Sequence, residues 1–181
     1  MATVGWVGRL SHEKGPDIFL RAAAQTLKHL PQTKFIVVGD GPERTSLESL
    51  IDQLNIRDSV SLAGRREDIP SVFASFDIAV SSSRQEGLPM AILEGMASSR
   101  PWIATAVGDV PTVILDDVTG VLVRPNDIES LSSALIALLQ DAGKRNRLGS
   151  EAHMLVEKQF SAQRMSEDYL DIYQQSVKNR K

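Results

Sequence analysis

The sequence contains no cysteine, which excludes a disulfide framework and any metal site built on thiolates. Its three histidines, His12, His29 and His153, are scattered along the chain. No apolar run reaches the roughly 20 residues that a membrane-spanning helix needs. Internal repeats and low-complexity linkers are also missing. Charge of one sign is not in excess either: the net charge of -3 provides no general attraction to nucleic acid or anionic lipid, so an anion site has to come from local placement of basic residues. Together these absences suit a soluble protein of a reducing compartment, in the cytoplasm or at the cytoplasmic face of a membrane, with no nucleic-acid partner.

What is present is 42% apolar content in 181 residues, enough for one sizeable core. Short β-rich runs bounded by glycine alternate with longer segments of helical period. The runs are Thr3–Gly8, Lys34–Gly39, Ser59–Gly64, Asp77–Ser82, Trp102–Thr105 and Gly120–Val123. Gly15-Pro16-Asp17 and Gly41-Pro42-Glu43 each place proline near a helix start with an acid behind it, and Pro89 opens a third helix running to about Ser98. From about Asp127 the strand pattern stops. Residues 127–178 read as two or three helices, the last with Met165, Tyr169, Ile172 and Tyr173 on one face. Alternation of this kind predicts an α/β fold, a Rossmann-like, doubly wound parallel sheet of about six strands with extra C-terminal helices. In such sheets ligands sit beyond the carboxyl ends of the strands, where this chain carries "GRLSHEK", "GDGP", "GRRED", "SRQEG" and "VGDVP".

Arg9 and Lys14 follow the first strand in one loop, just before a helix N-terminus. A guanidinium fork, an ammonium and free helix N–H groups suit a dianion such as a diphosphate; two solvated surface charges are the alternative. The "GDGP" stretch, Gly39–Pro42, allows close backbone approach of a ligand, or is simply a tight strand-to-helix turn. Arg65 and Arg66 offer a cation near a base, although "RRED" also reads as a self-compensating charge cluster. In "RQEGLPMAILEG" Glu86 precedes the helix that Pro89 opens, and Glu94 lies inside it, about 7 Å beyond Pro89 at roughly 1.5 Å per residue. The N–H groups of Met90 and Ala91 lie between them without intrahelical partners. Two carboxylates around a phosphate-suited helix start match a ligand with hydroxylated ends and a charged middle. Solvated surface glutamates are the other reading, and the spacing does not suit a metal pair.

At these residues the sequence resembles the carboxyl-terminal, nucleotide-binding half of the GT-B glycosyltransferases, in the retaining group one or family four. The motif is a Glu, seven residues and a second Glu, here "EGLPMAILE", joined by "VGRLSHEKG", "FIVVGDGPE", "DIAVSSSRQEG" and "TGVLVRPND" over about Val4 to Tyr173. The resemblance implies a donor-binding domain over residues 1–181 and transfer of a sugar from a nucleoside diphosphate sugar to a glycan, lipid or small-molecule acceptor. It implies a donor site of Gly8, Arg9, Lys14, Gly41, Arg65, Glu86, Gly87, Leu88, Pro89, Met90, Ala91 and Glu94. Arg9, Lys14 and Glu86 are its catalytic residues: the two cations neutralise the leaving diphosphate in place of a metal ion, and Glu86 accepts hydrogen bonds from the transferred sugar. Glu94 accepts from the ribose. No cofactor or metal is expected.

An amino-terminal acceptor domain of similar size outside this chain is also implied, without which the half site should transfer sugar slowly or not at all. Peripheral contact of the full protein with a membrane stays open. Departures from the pattern are "GDVPT" after the fifth strand, with Asp109 and Thr112 in place of a glycine and an acid, and Gly95, Ser99 and Trp102 where alanine, glycine and valine are usual. A sugar-nucleotide epimerase of the same architecture and a non-catalytic nucleotide- or partner-binding module are the alternative functions.

Overall fold

The computed structural model describes residues 2–87 and 89–178. Six strands form a single parallel sheet: β1 (Thr3–Val7), β2 (Lys34–Val38), β3 (Val60–Gly64), β4 (Ile78–Ser81), β5 (Trp102–Thr105) and β6 (Gly120–Val123). All six expected runs are strands, with ends that agree to within one residue. Eight α-helices are described: α1 (Pro16–His29), α2 (Arg44–Gln53), α3 (Ile69–Ala74), α4 (Met90–Ala97), α5 (Val110–Val113), α6 (Ile128–Gln140), α7 (Ala142–Gln159) and α8 (Ala162–Lys178).

The strand order is β3-β2-β1-β4-β5-β6. The chain winds outward from β1 through β2 to β3, returns to the centre at β4, and winds the other way. Strands of a parallel sheet bury both faces, and the side chains of β1 show how. Val4 and Trp6 join a core with Ile18, Phe19, Leu47, Leu131 and Leu135 from α1, α2 and α6, while Val7 packs toward a second core that holds Phe73, Phe76, Ile92, Met96 and Trp102. The helices divide between the two faces accordingly.

Two proline-marked starts are offset from expectation. Gly41-Pro42-Glu43 is a turn, and α2 begins at Arg44, because the Glu43 N–H donates to the Leu10 carbonyl and ties this segment to the loop after β1. Pro89 is the cap of α4 rather than its first residue: its carbonyl accepts from the N–H groups of Ile92 and Leu93. The region after Asp127 is three helices. Asp127 and Asp141 cap the first two by accepting from the N–H groups of Ser130 and Lys144. No helix among the described residues is long and apolar enough to cross a membrane.

Candidate functional site

Because the winding direction reverses between β1 and β4, the loops that leave these two neighbouring strands diverge around a crevice, the usual ligand position in such sheets. A dense set of hydrogen bonds fixes the loops against each other. The N–H groups of Arg84 and Gln85, after β4, donate to the Glu13 carbonyl at 2.8 and 3.2 Å. Ser82 Oγ donates to the Gly15 carbonyl at 2.7 Å and accepts from Trp6 Nε1 at 3.1 Å. Gly15 sits there with φ of 62°, and a Cβ would collide with the Ser82 carbonyl, so the close approach of the two loops requires glycine.

Arg84 completes the clamp. Its guanidinium donates two parallel bonds of 2.8 Å to Asp17 on α1, one of 2.8 Å to the His12 carbonyl, and one of 3.0 Å to Asn126 in the loop before α6. Burial pushes the Asp17 carboxyl upward, but the bonds and charge of Arg84 outweigh it and the net shift is downward. Asp17, in the first turn of α1, is thus engaged by Arg84.

The start of α4 faces the crevice. A cavity of about 150 Å³ lies beneath it, lined by Trp6, Val7, Gly8, Lys14, Ser81, Ser83, Glu86, Pro89, Met90, Ala91, Ile92 and Trp102. Lys14 Nζ stands 2.8 and 2.7 Å from the two oxygens of Glu86, and Ser83 Oγ donates to Glu86 Oε1 at 2.8 Å. Ser83 is itself held, its carbonyl accepting from Thr105 Oγ1 at 2.6 Å. Within α4, Met90 and Ala91 occupy the first two positions, whose N–H groups have no intrahelical acceptor. A cation, a carboxylate and a positively polarised helix end thus share one cavity, a combination able to hold an anion and a hydroxylated group side by side.

Of the twelve residues expected at the site, Gly8, Lys14, Glu86, Pro89, Met90 and Ala91 line this cavity. Arg9, Gly87 and Glu94 are exposed and are not part of its lining; Glu94 lies three residues after Ala91, next to it on the surface of α4. Gly41 does not face the cavity. It packs on the Leu10 backbone, where a Cβ would overlap the carbonyl group, so its role there is that of a tight turn. Arg65 is exposed at the end of the edge strand β3, outside the cavity lining, because two strands separate it from the reversal point. Its neighbour Arg66 is paired with Asp68 through bonds of 2.8 and 2.7 Å, the self-compensating cluster. Leu88 lies outside the described residues.

Sequence reasoning missed Trp6, Val7, Ser81, Ser83, Ile92 and Trp102. A signal for Ser83 existed in the three hydroxyl residues Ser81–Ser83 that end the strand before Glu86. Asp109 and Thr112 are both exposed, and the Thr112 hydroxyl donates to the Asp109 carbonyl at 2.7 Å. Among the described residues no three His, Asp or Glu side chains gather as a metal site.

The Glycosyl transferases group 1 family matches residues 2–154. The chain is 34% identical over 172 residues to an alpha-D-kanosaminyltransferase of Streptomyces kanamyceticus, covering 94% of this chain and 45% of that protein. Anabaena Alr3699/HepE, solved in complex with UDP-glucose, superposes with a TM-score of 0.88 at 26% identity, over 96% of this chain and 48% of that one. The C-terminal domain of the Francisella tularensis group 1 family protein LpcC superposes with a TM-score of 0.81 at 28% identity, over 89% of this chain and 87% of that one. The chain spans less than half the length of the kanosaminyltransferase. With the parallel sheet, the cavity at its reversal point and a family match over most of its length, the chain belongs to the group 1 glycosyl transferases, enzymes of GT-B fold.

Proposed function

We propose that the chain is the donor-binding half of a retaining glycosyltransferase that takes its sugar from a nucleoside diphosphate sugar. The observation that carries this reading is the convergence of Lys14, Glu86 and the N-terminus of α4 on one cavity at the sheet's reversal point. The structural neighbour described as a complex with UDP-glucose supports the donor class. In this reading the amides of Met90 and Ala91 hold a phosphate, and Lys14, with the exposed Arg9 at the rim, offsets the charge that grows on the departing diphosphate. Glu86 accepts hydrogen bonds from hydroxyls of the transferred sugar, and Glu94, one helical turn above the cavity, accepts from the ribose. Arg9 and Lys14 supply the positive charge that a divalent ion supplies in other transferases, and no cofactor is assigned. An acceptor-binding domain beyond these residues completes the enzyme and excludes water on closing.

Calorimetric titration of the chain with UDP, GDP and ADP tests the reading. One of the three should bind, and Lys14→Ala and Glu94→Ala should each weaken it by about 1 kcal/mol or more, the size of a lost charge-assisted hydrogen bond. Binding that is indifferent to both substitutions would move the nucleotide elsewhere. No binding to any of the three would favour a module that keeps the fold as a partner surface.

A further inference from the structure

The two side chains that the donor reading sends to different parts of one ligand hold each other in this structure. Lys14 Nζ contacts both oxygens of Glu86, at 2.8 and 2.7 Å. The Glu86 side chain is 8% exposed and that of Lys14 34%, so the pair is partly withdrawn from water and attracts more strongly than a surface pair does. An ammonium has three N–H donors, and Glu86 takes two of them while neutralising the charge. Lys14 is therefore engaged before any diphosphate arrives.

Resting on the donor-site reading above, we propose that Glu86 competes with the diphosphate for Lys14, and that this exchange separates the donor from the spent nucleotide. As the donor enters, Lys14 turns from Glu86 to the diphosphate, which releases the carboxylate to accept from the sugar hydroxyls. The ammonium is the mobile partner, because it ends a flexible four-carbon stem. Glu86 stays in place because Ser83 Oγ holds Oε1 at 2.8 Å and the Ser83 carbonyl is anchored in turn by Thr105. Once the sugar has left, no hydroxyl remains for Glu86 and its best partner is again Lys14. The nucleoside diphosphate then loses a cation and leaves. No bond is made or broken and no proton moves in this step; one ion pair replaces another.

The inference has an unusual sign: removing a charge from a residue of the site should tighten the product. Calorimetry with the nucleoside diphosphate that the unaltered chain binds, among UDP, GDP and ADP, reads it directly. Glu86→Gln keeps the shape and frees Lys14, and should bind that nucleotide about 3- to 10-fold more tightly, a change equivalent to roughly 0.7–1.4 kcal/mol. In a Lys14→Ala background the same substitution should change affinity less than about 2-fold, since the competition acts through Lys14. Weaker or unchanged binding by Glu86→Gln overturns the inference. So does a gain that persists without Lys14, which would show plain repulsion between carboxylate and phosphate. Thermal melts accompany each variant, and Glu86→Ala replaces Glu86→Gln if the latter is unfolded. Absence of binding by the unaltered chain and by Glu86→Gln would reject the donor reading itself, a result distinct from tight product binding without the predicted sign.

Discussion

At Gly95 helix α4 crosses the indole of Trp102 so closely that a Cβ would overlap ring atoms. Trp102 is fully buried, tilted against Phe73 with ring centroids 5.7 Å apart. The small residue in the helix and the large one in β5 are therefore one packing unit, and two departures from the family pattern are a single exchange of volume. Gly95→Ala should destabilise the chain by about 1–3 kcal/mol through overpacking. Trp102→Val should cost roughly 2–4 kcal/mol through the cavity it leaves. In the double variant the added methyl group fills part of that space, so its loss should be smaller than the sum of the two. Denaturant unfolding measures all three, and strictly additive losses would show that the residues do not share the space. Each departure was visible in the sequence, but their compensation was not, because the two residues stand on different elements.

The elements that position the site are joined by the bidentate Asp17–Arg84 pair, which links α1 to the loop after β4. The folded-state carboxyl of Asp17 lies below its ordinary value of 3.8. A depressed acid contributes stability that is complete above the ordinary value and is lost as pH falls through the lowered one. Asp17→Asn should therefore lower the melting temperature at neutral pH, by roughly 1–2 kcal/mol or about 2–8 °C. Its melting curve should converge with that of the unaltered chain as pH drops below 3.8. A difference that stays constant into that acid range would assign the effect to packing instead. Element boundaries themselves were readable where periodicity decided them, as in the strands. They shifted at Pro42 and Pro89, where bonds from distant or following backbone decide which residue begins the helix. The short helices α3 and α5, of six and four residues, were not assigned from the sequence, since neither has enough turns to show a helical period.

Among the described residues the two cores account for every buried large hydrophobic side chain, and α8 adds none: its described side chains are all exposed. Met165, Tyr169 and Ile172 instead form one wall of an open groove of about 520 Å³ with Met90, Leu93 and Phe160, and the Tyr169 and Tyr173 rings stack at 6.5 Å. The expected shared face of the last helix is present as far as these side chains describe it. Ending the chain after Gln159 should change the unfolding free energy by less than about 1 kcal/mol, because exposed surface contributes little. Differential scanning calorimetry decides this, and a loss of several kcal/mol would show that α8 supports the core.

The sequence by itself determined the class of fold, the order of its elements and the sheet edge whose loops hold the candidate site residues. Hydrophobic period and glycine punctuation are local properties, and the Glu86-to-Glu94 spacing is a local count. Only the tertiary structure decided which of the expected residues meet. It gathered Lys14 and Glu86, 72 positions apart, with Ser83 and the start of α4 around one cavity, and left Arg65 and Gly41 outside it. The physical reason is the strand order: placing β4 beside β1 sets the separation between loops, and that order is chosen by packing across the whole sheet rather than by any stretch of chain.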